Sequence, residues 1–557
     1  GPASKRPCRQ SLFAPRIQSD PAAFPLSILW PFDSPSWTIH PNMARTFVRW
    51  TLKILPITII ACGTNPHYPR SVKISTPAPT ASSPAPSATS LPQPLTPTTT
   101  PTLDDTPAPA PALPSLYAIR QVVWVLDQPH RAARKLGTLA VGKAVALREP
   151  QAGPPAQGCP QGYYAIEPRG FVCNNFQVTV DASHPTVRAY LEYAQPAEGA
   201  FPYRYGLSLG APMYNKLPDE PTHRIVMMRY PPARKLGDWA SAFEDLVDPH
   251  PASDIKPVPD FFLDGKASPN ATHGFVRRKL PHGSMLAFTR AFEYQGRRYL
   301  LADDLSAVPA DRVLIYKPTS FRGVTITREL LPHFGWTCAS PTARFALQDG
   351  KMVATGQSFA ARHLVRLTPQ TERIRGREYR KLRDDSHWVL AHQVCEVNLV
   401  DNRPEGIADD EPWIYVSTLE RTLVAYEGLR PVFATLHASG RGGVHRGKGD
   451  VRNYTTPLGS FPINWKERYA TFSPDPGAPT TFWISQVMFV QYFEQPYALH
   501  GAYWHERFGI PTSAGCPNLS PYDAERLFTF TQPTLPDGWQ AIAPHRNERG
   551  TLVVVGR

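Results

Sequence analysis

The chain has 557 residues, which is enough for three or four domains of ordinary size, and 63 of them are proline. Only 19% of the residues are charged, yet basic residues exceed acidic ones and give a formal net charge of +13. A basic chain suits an anionic partner, such as nucleic acid, anionic lipid or a carboxylate-bearing cell wall. We find no nucleic-acid-binding motif in the sequence, so nucleic acid is not an expected partner.

The N-terminal region contains a predicted export signal. From Met43 a short basic segment leads into the apolar run Ile54–Ala61, which is followed by Cys62. The order of basic, apolar and small residues is typical of a secretory signal. Residues 59–62 (Ile-Ile-Ala-Cys) resemble a bacterial lipobox, which implies that Cys62 is lipidated. The apolar run is far shorter than the ~20 residues that span a bilayer, so a transmembrane anchor is the poorer interpretation.

The segments around this signal have distinct compositions. Residues 1–42 do not fit a signal peptide, and we interpret them as a doubtful leader or tag that precedes a natural start at Met43. Residues 43–62 are then the lipoprotein signal peptide. Residues 63–115 consist mostly of Pro, Ala, Ser and Thr, so they cannot bury a core. We expect a disordered linker that tethers the rest of the chain to a membrane.

Short strands are predicted from residue 116 to residue 182. They are bounded by Gly- and Pro-marked turns and comprise Val122–Leu126, Ala144–Leu147, Tyr163–Ile166 and Gly170–Val172. The order of turns and the strand after Arg169 resemble bacterial SH3-like (SH3b) domains, which often bind peptidoglycan. A small barrel that acts only as a spacer is the alternative, because fold does not fix function.

The middle of the chain repeats this theme less clearly. Arg224–Met228 and Met285–Phe288 are predicted strands, and Tyr294–Leu301 is a predicted hairpin. We interpret residues 183–337 as an intermediate β domain, for which an SH3-like fold is one interpretation. Residues 338–405 are a possible further module of the same kind.

The seven cysteines agree with export. Cys8 falls in the doubtful leader, Cys62 is the lipidation site, and we expect Cys516 to remain a thiol. The other four allow two disulfides, with three possible connectivities, in an oxidising compartment. We favour Cys159–Cys173 and Cys338–Cys395, because each pair brackets one apparent module. Four buried thiols are the alternative, and no Cys-x-x-Cys spacing suggests zinc.

The last part of the chain, residues 408–557, is the candidate catalytic domain. Three predicted strands are followed by a Thr-Pro-x-Gly-x-Phe segment, a short helix over Asp523–Phe528 and a closing strand over Thr551–Val555. The three strands are Trp413–Val416, Arg421–Tyr426 and Pro431–Leu436.

Two short motifs in this domain point to thiol chemistry. His500 is followed by Gly501, and residues 513–518 read Ser-Ala-Gly-Cys-Pro-Asn. A thiol reacts as its thiolate, and a neighbouring imidazole can take the proton. The glycine before Cys516 lets the backbone turn tightly, so that amide N–H groups can point at a substrate oxyanion.

These motifs resemble the active-site signature of L,D-transpeptidases, the YkuD-type enzymes that cross-link peptidoglycan. In their pattern, His-Gly precedes Ser/Thr-His-Gly-Cys by a dozen or more residues, and Asn or Arg stands two residues after Cys. Ala514 departs from the usual histidine of that pattern, and Pro517 replaces the usual aliphatic residue. The resemblance covers about residues 409–557. It implies a mainly β, multi-domain protein in which small SH3-like barrels precede a YkuD-like β catalytic domain.

The resemblance also implies a role for each motif residue. Cys516 attacks the carbonyl of the third residue of a peptidoglycan stem peptide and releases the terminal D-Ala, and an amine then resolves the thioester. His500 is the base, and a backbone carbonyl at Gly501 orients its ring. Backbone N–H groups around Gly515 and Cys516 form the oxyanion hole. The expected substrate-binding residues are Ser513, Gly515, Asn518, Tyr503 and His505, and no cofactor or metal is expected.

Other interpretations remain open. His505 competes with His500 as the base, although only His500 is followed by glycine. His500, His505 and Cys516 could instead bind zinc, since such a trio occurs as a ligand set. The same fold and thiol could serve a hydrolase or amidase that uses water as acceptor, or the domain could be inert in a wall-binding lipoprotein. The expected location is the periplasm, with a lipid anchor in the outer membrane of a Gram-negative bacterium.

Overall fold

A computed structural model describes residues 114–230, 247–248, 253–338, 341–443, 454–473 and 482–557. Strands predominate throughout these residues, which confirms the predicted mainly β fold. The doubtful leader, the predicted signal peptide with Cys62, and the predicted linker up to residue 113 lie outside the described residues. Within the described ranges, no helix is both long and apolar enough to cross a membrane.

The first module is a small set of short strands. In chain order they are β1 (Ser115–Ala118), β2 (Val123–Leu126), β3 (Lys135–Leu139), β4 (Ala144–Ala146), β5 (Tyr163–Ala165), β6 (Phe171–Cys173) and β7 (Val178–Thr179). β1 pairs with β4 and β7, while β2 pairs with β3 and β6. The four strands that the sequence predicts here correspond to β2, β4, β5 and β6. A disulfide joins Cys159 to Cys173, which is one of the two favoured pairs.

The middle domain follows helix α1 (Pro185–Tyr193) and contains a second helix, α2 (Glu220–Met227). Its strands are β8 (Arg204–Ser208), β9 (Ala211–Tyr214), β10 (Val247–Asp248), β11 (Ile255–Lys256), β12 (Val276–Leu280), β13 (Met285–Tyr294), β14 (Arg297–Ala302), β15 (Ala307–Pro309) and β16 (Val313–Tyr316). The predicted hairpin is present as β13 and β14. Gln295 and Gly296 at its tip both have positive φ, as a two-residue type I′ turn requires.

The predicted strand over Arg224–Met228 is wrong, because these residues lie in and directly after α2. The run of apolar residues 225–228 suggested a strand, but the sequence before it starts a helix. The Asp219 carboxylate accepts the Thr222 N–H at 2.9 Å and caps the helix, and Pro221 occupies its first turn. Ile225 is 61% exposed, so the apolar run does not form a buried strand face.

The third module spans residues 334–396 and forms one seven-stranded sheet. Its strands are β18 (Phe334–Thr337), β19 (Thr342–Gln348), β20 (Lys351–Phe359), β21 (Leu364–Ile374), β22 (Arg377–Leu382), β23 (Trp388–Leu390) and β24 (Val394–Glu396), after the short strand β17 (Val324–Thr325) that joins the next domain. The sequence places the start of this module at residue 338, yet β18 pairs with β21 and β24 and so belongs to it. A disulfide joins Cys338 to Cys395, the second favoured pair.

The last domain has two sheets. Its strands are β25 (Pro412–Ser417), β26 (Thr422–Glu427), β27 (Arg430–Leu436), β28 (Gly459–Pro462), β29 (Trp465–Phe472), β30 (Ile484–Glu494), β31 (Tyr497–Gly501), β32 (Asn518–Leu519), β33 (Trp539–Ile542) and β34 (Leu552–Gly556). One sheet has the order β17-β27-β26-β25-β34-β28, in which β25 and β34 run parallel. The other contains β29, β30, β31 and β33.

Helix α3 (Pro521–Phe530) follows directly after β32 and is held at both ends. At its start, the Ser520 hydroxyl accepts the Asp523 N–H at 3.2 Å, and Pro521 sets the first turn. At its end, the buried Lys466 ammonium donates to the carbonyls of Phe528 and Thr531 at 2.7 and 2.8 Å. Carbonyls at a helix C-terminus favour a cation, so this lysine satisfies groups that the helix leaves open.

The first module and the last domain share a sheet. Strand β3 pairs antiparallel with β33, with Gly137 opposite Ile542 and Thr138 opposite Ala541. A Cβ atom on Gly137 would lie 2.0 Å from the Ala541 carbonyl oxygen, so only glycine permits this approach. The first module is therefore joined to the last domain through backbone hydrogen bonds as well as through the chain.

Candidate active site

Parallel strands bring the predicted histidine next to the cysteine turn. β31 and β32 pair in parallel, and His500 lies opposite Asn518 in this register. On its other side Asn518 exchanges two backbone hydrogen bonds with Ala438, at 2.9 and 3.0 Å. Because Cys516 precedes Asn518 by two residues, this register holds the cysteine turn beside the strand that carries His500.

The imidazole of His500 is buried between aromatic rings. Phe472 meets it edge-on with ring centroids 5.2 Å apart, and the Trp504 ring lies at 5.9 Å. Its Nδ1 is 3.1 Å from the Gly501 carbonyl oxygen, which can only accept, so Nδ1 carries the hydrogen and Nε2 has the lone pair of a base. Burial lowers the pKa of His500 to about 4, so the ring is neutral at neutral pH and can accept a proton.

The Cys516 sulfur lies against the strand that leads to His500. Sγ is 3.4 Å from the backbone nitrogen of Ala498 and 3.9 Å from the carbonyl oxygen of Pro496. Cys516 is disulfide-bonded in the structure. The sequence predicts a thiol here, so a reaction at this sulfur requires its reduced form.

The turn before Cys516 depends on Gly515. Its φ is +134°, and a Cβ atom there would lie 2.5 Å from the Tyr497 ring. Only glycine combines this conformation with this approach. The Ser513 hydroxyl accepts the Gly515 N–H at 3.0 Å and so closes the turn.

This hydrogen bond concerns the predicted oxyanion hole. The resemblance implies that the Gly515 N–H helps to form the oxyanion hole, but in the structure that N–H is bound to the Ser513 side chain. Ser513, which is predicted to bind substrate, therefore shapes the turn from within. Its own backbone N–H donates to the Ser439 carbonyl at 3.0 Å.

Thr456 is a site residue that the sequence reasoning missed. Its buried hydroxyl donates to the Gly515 carbonyl at 2.8 Å and accepts the Gly440 N–H at 3.1 Å. It thereby ties the cysteine turn to the segment after β27. The signal was present, because Thr456 opens the Thr-Pro-x-Gly-x-Phe segment, but nothing in the sequence assigns its hydroxyl a partner 59 residues away.

The structure brings His505 to Asn518. His505 Nδ1 accepts the Arg507 N–H at 3.2 Å, so the ring hydrogen is on Nε2, which lies 3.1 Å from the Asn518 side-chain amide. In the structure the amide nitrogen Nδ2 faces this ring nitrogen. Because a ring N–H can only donate, we assign the amide in the reversed orientation, with Oδ1 facing His505. The opposite end of the amide is buried and has no hydrogen-bond partner among the described residues. It is therefore the end that a bound substrate can engage.

His505 is a poor candidate for the base. Burial, with a smaller contribution from the Arg507 charge, lowers the pKa of His505 to about 3, much as burial lowers that of His500, so the hydrogen bonds and not the pKa values separate the two histidines. Both of its ring nitrogens are engaged, by Arg507 and by Asn518. His505 thus orients Asn518, whereas the Nε2 lone pair of His500 can take a proton.

Tyr503, which is predicted to bind substrate, is used in packing. Its ring stacks on Tyr205 of the middle domain with centroids 3.7 Å apart. Its hydroxyl donates to the Ser485 carbonyl at 2.8 Å. Both its ring face and its polar atom are therefore occupied by the protein.

The zinc interpretation has no ligand set in the described part of the chain. No three or more His, Cys, Asp or Glu side chains lie close enough there to hold a metal ion. The contacts of His505 with Arg507 and Asn518 also engage both nitrogens that could ligate.

The segment that contains this site can be compared with known proteins. Residues 411–555 match the family model for YkuD, the L,D-transpeptidase catalytic domain. We call them the YkuD domain. They include every residue of the site described above, from Thr456 to Asn518. No curated protein matches the chain.

Solved structures of three L,D-transpeptidases are similar to parts of the chain. The protein from Xylanimonas cellulosilytica has 22% identity and a TM-score of 0.19, over 28% of this chain and 64% of that chain. The protein from Stackebrandtia nassauensis has 22% identity and a TM-score of 0.18, over 27% of this chain and 57% of that chain. The protein from Mycobacterium smegmatis has 13% identity and a TM-score of 0.20, over 44% of this chain and 90% of that chain. The chain thus spans less than two thirds of the length of the first two structures.

Proposed function

We propose that the protein is a peptidoglycan L,D-transpeptidase with Cys516 as nucleophile and His500 as base. The observation that carries the proposal is the arrangement on β31. The Gly501 carbonyl fixes His500 through Nδ1 at 3.1 Å, and the Cys516 sulfur lies 3.4 Å from Ala498 on the same strand. Thiol acyl transfer needs an imidazole base and a cysteine held close together, and here one strand carries the imidazole and also contacts the cysteine sulfur.

The first step is acylation. His500 Nε2 takes the thiol proton, and the sulfur attacks the carbonyl carbon of the third residue of a stem tetrapeptide. A carbon–sulfur bond forms, the carbon–nitrogen bond to the terminal D-Ala breaks, and the imidazolium returns the proton to the leaving amine. The Asn518 amide, held by His505, donates to a substrate carbonyl.

The second step is acyl transfer. The amine of a neighbouring stem peptide attacks the thioester, its proton passes to His500, and the sulfur leaves as the thiolate. The product is a 3-3 cross-link or a related exchange product. If water takes the place of the amine, the same site is a hydrolase or amidase.

The proposal includes a cellular location. The lipobox-like run before Cys62 supports a lipid anchor, and the Pro-rich residues 63–115 then form a tether that lets the enzyme reach the wall from the periplasmic face of the outer membrane. The first module, by its resemblance to SH3b domains, binds peptidoglycan. Mass spectrometry of the native N-terminus should find diacylglyceryl-Cys62, and a mature chain that keeps residues upstream of Met43 would contradict the anchor.

The experiment that tests the reaction compares the reduced protein with its Cys516→Ala variant on defined muropeptides. We expect the wild type to release D-Ala and to form cross-linked products, and a carbapenem to add its mass to the peptide that contains Cys516. Cys516→Ala should fold and be inactive. Turnover by this variant would refute the proposed nucleophile, and released D-Ala without any cross-linked product would identify a hydrolase.

The two histidines give a second measurement. Loss of a general base typically costs 10²–10⁴-fold in rate, so we expect a loss of this size in His500→Ala. The reactivity of Cys516 in this variant should titrate closer to an ordinary thiol, with a pKa near 8.5. An active His500→Ala enzyme alongside an inactive His505→Ala enzyme would show that the base is assigned to the wrong histidine.

A further inference from the structure

The loop after β31 is held by a module outside the YkuD domain. We call residues 504–509 the catalytic loop, because they contain His505, which orients Asn518. Arg362, in the turn between β20 and β21 of the third module, donates to the Glu506 backbone carbonyl through one guanidinium nitrogen. Its other terminal nitrogen is 2.5 Å from the Glu506 carboxylate. One arginine thus binds both the backbone and the side chain of the residue next to His505.

Arg362 itself is rigidly placed. It has a φ of +60°, which a non-glycine residue adopts only where its surroundings require it. Its backbone N–H donates to the Thr337 carbonyl at 2.7 Å, and the next N–H, of His363, donates to the Thr337 hydroxyl at 3.0 Å. Thr337 precedes Cys338, so the disulfide and the arginine belong to one fixed corner of the third module.

The other end of the catalytic loop packs against that corner. A Cβ atom on Gly509 would lie 3.1 Å from the Cys338 sulfur and 3.4 Å from the Cys395 sulfur. Phe508 is buried in a cluster that includes Trp336 and Cys395, and its ring stacks on Phe321 at 5.6 Å. The third module therefore fixes the loop at the residue directly after His505 and again at its C-terminal end.

We propose that Arg362 is a positioning residue for the transfer reaction. Arg362 holds Glu506, the catalytic loop holds His505, and His505 turns the Asn518 amide so that its NH2 group meets the substrate. The proposal rests on the function proposed above, in which Asn518 binds a substrate carbonyl. The residues that position the substrate-binding amide then include one from a module outside residues 411–555.

The solvent exposure of the Arg362–Glu506 pair distinguishes a positioning role from a role that only stabilises the contact between the two domains. The two side chains are 25% and 32% exposed, so water screens their attraction. Ion pairs of this kind contribute little to global stability, whereas a displacement of about 1 Å at a reacting group can cost roughly 10²-fold in rate. A positioning residue should therefore affect turnover far more than unfolding temperature.

The third module supplies a matched control. Arg366 stands four residues further along β21 and pairs with Asp384 of the same module at 2.5 Å. Its side chain is 42% exposed, and the pair does not involve the catalytic loop. Arg366→Ala removes an arginine of the same kind from the same module without releasing Glu506.

The test compares steady-state kinetics and thermal unfolding of the full chain, with Cys516 as a free thiol and the Cys338–Cys395 disulfide intact. We expect Arg362→Ala to lower kcat/KM at least tenfold with little change in Tm, and Arg366→Ala to leave both unchanged. Arg362→Lys keeps the charge but loses the two-pronged contact, so it should recover only part of the rate. If Arg362→Ala does not fold, Arg362→Lys against Arg366→Lys gives the same comparison. Equal kinetics for the 362 and 366 variants would refute the proposal.

A double-mutant cycle identifies the route. If Arg362 acts through Asn518, then Arg362→Ala should cost nothing further in an Asn518→Ala background, because the amide that it positions is gone. Independent losses that multiply would show that Arg362 does not act through Asn518. A nitrogen NMR spectrum gives a readout apart from activity, since the Nε2–H tautomer of His505 should be well defined in the wild type and averaged in Arg362→Ala.

The failure of this inference can be distinguished from the failure of the proposed function. A fully active Cys516→Ala enzyme would overturn the function and leave the NMR comparison as the test of loop order. An inactive Cys516→Ala enzyme with identical 362 and 366 variants would overturn only the role of Arg362.

Discussion

The first and third modules attach to the YkuD domain in different ways. The first contributes a strand, so that β3 and β33 form a backbone ladder, and its Arg169 pairs with Glu548 at 2.7 and 3.0 Å. The third contributes an arginine, a disulfide and an aromatic cluster, which meet the catalytic loop. A backbone ladder fixes where a domain sits, whereas side-chain contacts at a reactive loop also fix how that loop is shaped.

This difference suggests that damage to the two attachments has different consequences. Changes at the third module should lower kcat/KM, because the catalytic loop carries His505. Changes at the first module should lower stability and leave the turnover of folded molecules nearly unchanged. Three predictions follow this order, from the largest expected effect on kcat/KM to the smallest.

Gly509→Val should have the largest effect. Gly509 has a φ of +89°, and an added side chain would press on the Cys338 and Cys395 sulfurs. Backbone strain of this kind costs about 1–3 kcal/mol, and the displaced loop should lower kcat/KM roughly 10²-fold. Gly350→Val is the control, because Gly350, in the third module, also has a positive φ, of +71°, but no atom lies within 4 Å of its Cβ position. Similar kinetics for the two variants would show that the disulfide contact is unimportant.

Removing each disulfide in turn compares the two modules directly, with a smaller expected loss of kcat/KM than for Gly509→Val. Replacing Cys338 and Cys395 by serine removes the disulfide against which Gly509 packs, and long-range coupling of about 0.5–2 kcal/mol predicts a loss of roughly two- to thirtyfold in kcat/KM. Replacing Cys159 and Cys173 should leave kcat/KM unchanged. The sequence separations are 57 and 14, so chain entropy predicts losses of roughly 4 and 3 kcal/mol in unfolding free energy. Steady-state kinetics measure kcat/KM of the two variants, and denaturant unfolding measures their unfolding free energies. If both replacements lowered kcat/KM equally, the third module would have no special effect on the site.

Gly137→Val should have the smallest effect on kcat/KM, within about two- to threefold. Its Cβ atom would lie 2.0 Å from the Ala541 carbonyl oxygen, so β3 must separate from β33. Each lost ladder hydrogen bond costs about 0.5–1.5 kcal/mol, and the unfolding temperature should fall accordingly. Gly153→Val is the control in the same module, since its Cβ position has only one neighbouring atom, at 3.7 Å. A tenfold drop in kcat/KM for folded Gly137→Val would mean that the ladder also shapes the site.

Local patterns predicted much of the fold, and they failed where a local signal competed with a cap. Alternating apolar residues between turns correctly gave four of the seven strands of the first module and the opening strands of the YkuD domain, but missed β3, which joins the two. The run 224–228 was misread because Asp219, five residues earlier, caps a helix. The capping side chain decides between helix and strand in a short apolar run that is partly exposed.

The candidate site was predictable only in part, because some of its contacts cross between modules. Short motifs indicated His500, Cys516 and Asn518. They did not indicate the Thr456 hydroxyl, which binds the Gly515 carbonyl, or the Ser513 hydroxyl, which uses the Gly515 N–H. They also did not indicate Arg362, which precedes Glu506 by 144 residues and lies in a different sheet. Such pairings depend on tertiary packing, which a local pattern does not encode.

The shared ladder between β3 and β33 also bears on how the YkuD domain behaves when it is cut from the chain. A fragment that begins near residue 411 lacks β3, so β33 would become an edge strand with open N–H and C=O groups. Trp539, Ala541 and Ile542 on this strand are each only 1% exposed in the full chain. An uncovered apolar edge of this kind recruits other strands. The isolated domain should therefore self-associate, through the edge that the first module covers in the intact protein.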